Sequence, residues 1–410
     1  MGFLVWAEIP VISRYQKKAQ ENALIQLEEL IKQNMHHASI FTWGVQNEIT
    51  ITSENKTLVD GIAELAKYAK MLDSSRPTTQ AQFTMASPKS ELNALTDILA
   101  YNHYFGWYMQ TCEGLDAWLK KFREARPELK LGISEYGAEG VLGYFSDNPV
   151  QGDYSEGYQA IYHEHYLKTF IENDYIWGSY VWNMFDFGSA MRNEGGVKGR
   201  NNKGLVTFDR KTKKDAFYLY KAFWSDEKFV HLVGSRYDLR KIGMQTFKVY
   251  SNCDKVVLRI GNKSKTVTSK GIFVFEDIEV KEGKNKITLT AGDIKTVFEF
   301  TGVEEYPREY SLPEGSSSMV RNWFVDKSEG EAGEGSGEYY SLDDTIGDLL
   351  KSPEVLGMVS GAAGKLLKSP LIAVIKPFTL RQLLTKAKFI NLDPSMIDMV
   401  EQFLSTIKKV

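Results

Sequence analysis

The chain has 410 residues, 43% hydrophobic and 25% charged, with a formal net charge of −3, long enough for two or three globular domains and not basic enough for a nucleic-acid partner. No apolar run approaches the roughly 20 residues that span a bilayer, so no membrane partner is expected; the N-terminus also lacks a basic region followed by a cleavage site. Localisation is left unknown: a cytoplasmic place is the expectation for the chain as given, and a longer parent protein would be compatible with the periplasm or secretion.

From residue 1 to about 228, strand-like apolar runs alternate with amphipathic stretches, the pattern of parallel β/α units. The strand candidates are 3–9, 40–46, 77–83, 97–102, 129–135 and 176–184. Between them, Ala19, Ala23, Leu27, Leu30 and Ile31, then Leu58, Ile62, Leu65, Ala69 and Leu72, recur at helical spacing. Six strands are predicted where a closed barrel takes eight, so the fold class is α/β with an incomplete TIM barrel, about strands three to eight. From 229 to 302 the period becomes two, through Phe247, Val249, Val256, Leu258, Ile260, Phe273, Phe275, Ile278, Val280, Ile287 and Leu289, which predicts an immunoglobulin-like β-sandwich. Residues 303–338 are rich in Gly, Ser and Glu and read as a flexible acidic linker. Ser341 and Asp344 open a capping box, and 339–410 reads as a helical C-terminal domain. Cys112 and Cys253 fall in different modules, offer no disulfide framework and read as reduced thiols.

Two glutamates close apolar runs: Glu48 ends Ile40-Phe41-Thr42-Trp43-Gly44-Val45-Gln46-Asn47-Glu48, and Glu135 ends Leu129-Lys130-Leu131-Gly132-Ile133-Ser134-Glu135. Both mark C-terminal ends of parallel barrel strands, where such folds place their chemistry. Two carboxylates about 5 to 5.5 Å apart are what retaining glycoside hydrolysis needs, one as acid/base and one as nucleophile. Aromatic residues make up 12% of the chain, which suits sugar stacking and an aromatic core equally.

These motifs, with Tyr101-Asn102-His103-Tyr104-Phe105-Gly106-Trp107-Tyr108, Val181-Trp182-Asn183-Met184-Phe185-Asp186-Phe187 and Asn201-Asn202-Lys203-Gly204-Leu205-Val206, resemble glycoside hydrolase family 2 over nearly the whole chain. The last stretch, continuing through Asp209-Arg210-Lys211 to Ala216-Phe217-Tyr218, is similar to its β-galactosidase branch. The resemblance implies Glu48 as acid/base, Glu135 as nucleophile, Asn47 on the sugar 2-hydroxyl and Tyr104 donating to the nucleophile. It further implies sugar contacts from His103, Trp107 and Trp182, with His103 facing the site only if the alternation from Asn102 holds. The expected partner is a β-galactoside; no cofactor is required, and the Mg²⁺ or Na⁺ bound by some relatives has no placeable site here.

Two alternatives stand beside that reading. A β-glucuronidase is one, because Asn201 and Lys203 resemble the pair that reads a sugar carboxylate; Val197, where those enzymes tend to carry arginine, argues against it. The other is a non-catalytic carbohydrate-binding remnant. Open sheet edges at 3–9 and 176–184 lead to the further expectation that residues 1–410 alone hydrolyse little, and that they need a homo-oligomer or a chain supplying the absent strands.

Overall fold

The computed structural model describes residues 2–13, 15–50, 54–190, 192, 194–313, 339–357, 379–380 and 400–409. The chain divides into two compact units, one of Met1–Tyr136, Asn173–Tyr180 and Asn322–Val410, the other of Gly137–Glu172 and Val181–Arg321.

The first unit is built on a curled sheet of six strands in sequential order: β1 (Val5–Glu8), β2 (Ile40–Asn47), β3 (Thr78–Gln82), β4 (Leu99–Asn102), β5 (Leu131–Tyr136) and β6 (Ser179–Val181). The registers from β1 to β5 are parallel, and the set forms an incomplete TIM barrel. Three helices lie between strands: α1 (Gln20–Asn34), α2 (Lys56–Leu72) and α3 (Glu113–Ala125). Ala23, Leu27 and Ile31 on α1 pack with Leu58, Ile62, Leu65 and Ala69 on α2 against Trp43 and Val45 of β2. Each fully buried leucine or isoleucine here contributes about 1.5–3 kcal/mol. Asn55 caps α2 by accepting from the Leu58 amide at 3.0 Å. Because successive side chains in a strand point to opposite faces, Ala7 and Ile9 join this helix-side core while Trp6 and Glu8 face the other way.

The sixth strand is shorter than the 176–184 expected. After Val181 the chain pairs instead with the segment carrying Lys203: the Leu205 amide donates to the Asn183 carbonyl at 3.0 Å and the Asp186 amide to that of Val206 at 2.9 Å. Apolar runs of this length do not distinguish a strand in the sheet from a strand that leaves it.

The second unit holds α4 (Glu156–Glu172), the short antiparallel pair β7 (Phe187–Gly188) and β8 (Arg200–Asn201), and α5 (Asp215–Trp224). Two sheets follow. One is ordered β14 (Gly271–Val280), β11 (Gly243–Ser251), β9 (Val230–Leu232); the other β10 (Leu239–Lys241), β16 (Ile294–Val303), β15 (Gly283–Ala291), β12 (Lys255–Ile260), β13 (Lys263–Thr268). Every apolar residue that set the period of two, except the half-buried Ile260, is buried in their shared core. Lys248 reaches Glu164 of α4 at 2.7 Å.

Most of the expected linker, 314–338, lies outside the described residues, as does much of 339–410. Of the tail, the capping contact is present, with the Ser341 amide donating to Asp344 at 2.7 Å, and Tyr340, Leu342, Leu349, Val355, Leu404 and Ile407 share a small core.

Candidate active site

In the first unit, the C-terminal ends of four parallel strands converge. Glu8 ends β1, Asn47 and Glu48 end β2, Asn102 to Tyr104 follow β4, and Glu135 lies on β5, its register partner being Asn102. Glu48 is 5% exposed and sits in the left-handed region at φ 51°, which is uncommon for a residue with a side chain and is found where a fold aims a functional group. Burial raises its carboxyl pKa well above the ordinary range; charge on Glu135 and then Glu8 adds to this, against a hydrogen bond from Asn102. Such a group holds a proton near neutrality, as a general acid must.

Glu8 is a third carboxyl group in this cluster. Burial first, then the charge of Glu135, pushes it up to about 8, opposed by the hydrogen bond from Trp6 Nε1 at 3.1 Å. The space it occupies exists because residue 44 is glycine: a Cβ there would come within 2.3 Å of Trp6 Nε1 and 2.7 Å of Glu8 Oε2. The sequence reading passed over Glu8, although its alternation with Trp6 in a barrel strand was a usable signal.

Around the pair runs a chain of hydrogen bonds. Tyr104 Oη donates to Glu135 Oε2 at 2.6 Å, Asn102 Nδ2 donates to Asn47 Oδ1 at 3.1 Å, and Ser134 Oγ donates to Asn102 Oδ1 at 2.6 Å. The sequence alone assigns no role to Asn102 or Ser134.

Alternation along 102–104 turns His103 away. It is fully buried against Trp118 of α3, with ring centroids 4.1 Å apart, and Nδ1 lies 2.8 Å from Thr84 Oγ1. Burial lowers its pKa to about 3, so it is neutral. The expectation that His103 contacts sugar is therefore corrected. Trp107 is 1% exposed, inside the fold, and offers no open ring face for a sugar; its assignment as a platform is corrected on that ground.

The second unit holds the remaining candidates. Trp182 is 38% exposed, with Phe187 edge-on at 5.9 Å. Asn201 Oδ1 accepts from the Lys203 amide at 3.0 Å, a tight local turn at the end of β8. A Cβ at Gly204 would stand 2.0 Å from the Asp186 nitrogen, so the Asn-x-Lys-Gly order needs its glycine for close approach of backbone. Lys203 is fully buried, and its ammonium lies 3.5 Å from Glu139 Oε1; Arg192 donates to the same oxygen at 2.9 Å. A second cation is therefore present beside Lys203, five positions before Val197. Val197 is one position of a loop whose cation stands at Arg192. Among the described residues no group of three or more His, Cys, Asp or Glu is placed to hold a metal ion.

A parallel α/β barrel sheet with carboxyl groups at its C-terminal strand ends is an arrangement that glycoside hydrolases use. Residues 9–228 match glycosyl hydrolases family 2, TIM barrel domain, and the chain belongs to that family. It is 37% identical over 322 residues to the β-glucuronidase of Bacteroides fragilis, covering 74% of this chain and 45% of that protein. Among solved structures it is similar to the FMN-binding β-glucuronidase of Facaelibacterium prausnitzii L2-6, at 45% identity and TM-score 0.74 over 76% of this chain and 49% of that one. A putative β-galactosidase from Bacteroides fragilis is 32% identical with TM-score 0.69, over 75% and 47%. The chain thus spans under half the length of these relatives. They point more to β-glucuronidases than to the β-galactosidase branch expected from the sequence.

Proposed function

We propose that the native protein carrying this chain is a retaining glycoside hydrolase acting on β-glucuronides. The feature that carries the choice of sugar is the Asn201-Asn202-Lys203-Gly204 segment, which resembles the one that reads a sugar carboxylate in β-glucuronidases. The identities with β-glucuronidases support the same reading. In the mechanism, Glu135 attacks the anomeric carbon while Glu48 protonates the departing oxygen, and the glycosyl–enzyme ester is then hydrolysed by water that Glu48 deprotonates. Both steps use carboxyl groups alone; the FMN named for the Facaelibacterium relative is that protein's property. Asn47 is suited to the sugar 2-hydroxyl.

A charge-assisted grip on a uronate carboxylate is worth about 3 kcal/mol, or roughly a hundredfold. The kcat/KM for 4-nitrophenyl β-glucuronide is therefore expected to exceed that for 4-nitrophenyl β-galactoside by about that factor. A side-by-side assay giving the reverse ranking would restore the galactosidase reading.

Tyr104→Phe tests the nucleophile's support. Removing a donor from a carboxylate disfavours its charged form, so the acidic limb of the pH–rate profile should move to higher pH. At its optimum, kcat/KM should fall about 10- to 100-fold. An unmoved acidic limb would show that the tyrosine only packs.

A further inference from the structure

The double displacement uses Glu48 and Glu135 and leaves Glu8, the third carboxyl group of the cluster, without a task. Its place is nonetheless built. Glu8 lies opposite Gly44 in the β1–β2 register, and the absent side chain there leaves the notch that its carboxyl group fills. Trp6 Nε1 donates to Glu8 Oε2 at 3.1 Å. The Trp6 ring is held in turn, with its centroid 6.0 Å from that of Trp177 and 5.7 Å from that of Tyr180 on β6, edge-on to the tyrosine. The groups that face Glu8 are charges of its own sign or neutral phenols. Glu135 of β5 acts on it, and Glu8 acts on Glu48 at the end of β2. Tyr104, which donates to Glu135, is raised by burial and then by the charge of Glu135, and burial pushes Tyr180 up to about 12.

We infer that Glu8 is a positioning residue for the acid step, a third carboxyl group seated at the same strand ends so that its charge keeps the acid proton on Glu48 until a leaving group takes it. The inference rests on the acid/base role of Glu48 given above and holds for either sugar. Interacting carboxyl groups do not all ionise together at neutral pH, so the resting cluster carries its one charge on Glu135. When Glu48 gives up its proton and Glu135 becomes an ester, that single charge has moved to Glu48 and none has been added. As pH rises, Glu8 and Glu48 compete to ionise next, and a charge on Glu8 makes Glu48 hold its proton longer. The acid form thus survives to higher pH than it would alone. In Glu8→Gln the amide oxygen still accepts from Trp6 but the side chain carries no charge, and Glu48 loses its proton at lower pH.

The test is the pH dependence of kcat/KM in the native protein, read on a methyl glycoside, whose leaving group needs a proton, of whichever sugar, glucuronide or galactoside, the parent turns over faster. Glu8→Gln should move the basic limb about one pH unit lower, the scale expected of a neighbouring charge, so that the ratio of parent to variant rises about tenfold between the optimum and pH 9. On the 2,4-dinitrophenyl glycoside of the same sugar, whose departure needs no proton, parent and variant should give the same profile. Trp6→Phe keeps a ring and removes the donor that favours ionised Glu8, so it should move the limb the same way by less, and it serves if Glu8→Gln fails to fold. Thermal melting reads Glu8 without catalysis. Its carboxyl, raised to about 8 in the fold against about 4.3 in the unfolded chain, loses stability as pH rises between those values. Glu8→Gln should therefore melt higher relative to the parent at pH 8 than at pH 4. A basic limb that stays in place or moves up in Glu8→Gln, while Glu48→Gln still abolishes it, overturns the positioning role alone, as do equal melting differences at the two pH values. A basic limb that survives Glu48→Gln overturns the acid assignment and this inference with it.

Discussion

Glu135→Gln is expected to lower kcat/KM of the native protein about ten-thousandfold or more, because it removes the atom that forms the bond to the anomeric carbon. Three carboxyl groups compete for that role, and their surroundings separate them. Glu48 and Glu8 are both raised by burial and by the charge of Glu135, so both favour the protonated form at neutral pH, and a protonated carboxyl is a poor nucleophile. Glu135 instead receives the Tyr104 hydroxyl at 2.6 Å, a bond that stabilises an anion. A 2-deoxy-2-fluoro glucuronide with a good leaving group should therefore leave an ester on Glu135, found by peptide mapping. Label on Glu8 or Glu48, or on no carboxyl group, would overturn the assignment.

Glu48→Gln is expected to remove the basic limb of the pH–rate profile and to cost about a thousandfold on alkyl glucuronides, within the usual contribution of general acid catalysis. Substrates whose leaving group departs without a proton should lose far less in the first step. The direction follows from the raised carboxyl: activity needs its proton, so the parent enzyme loses rate as pH rises through that pKa, and the variant has nothing there to titrate. Once Glu135 is esterified its charge is gone, the Glu48 pKa falls, and the same group can take a proton from water. The shift also has a consequence for stability. A carboxyl whose folded pKa is raised holds its proton where the unfolded chain, at about 4.3, has released it, so stability falls as pH rises from there toward the folded value. Glu48→Gln should accordingly melt higher relative to the parent at pH 7 than at pH 4. Equal differences at the two pH values would contradict the raised pKa.

Much of this site was legible because its residues lie at ends of apolar runs, and a parallel barrel has one place for such ends. Glu48 and Glu135 stand out in that way, Asn47 and Tyr104 only through the family resemblance, and the Tyr104–Glu135 hydrogen bond is a short-range consequence of the register that pairs β4 with β5. His103 was misplaced by a single step of alternation, which in a strand means the opposite face. Trp107 and Trp182 look alike in sequence, and only packing distinguishes a side chain 1% exposed from one 38% exposed.

By itself the sequence determined the alternation of strand and helix through residue 228, the switch to a period of two beyond it, and the two glutamates at strand ends. These are local matters, set by side-chain period and by a few residues of neighbouring chain. Tertiary structure alone decided that Glu8 joins the carboxyl cluster, that Asn102 and Ser134 link Asn47 to it, and that Arg192 and Lys203 share Glu139 across sequence separations of 53 and 64 residues. Those are meetings of charges brought together by chain segments far apart in sequence. Coulombic and hydrogen-bond energies fall off over a few ångströms of space, whatever the distance along the chain, so no spacing in the sequence announces them.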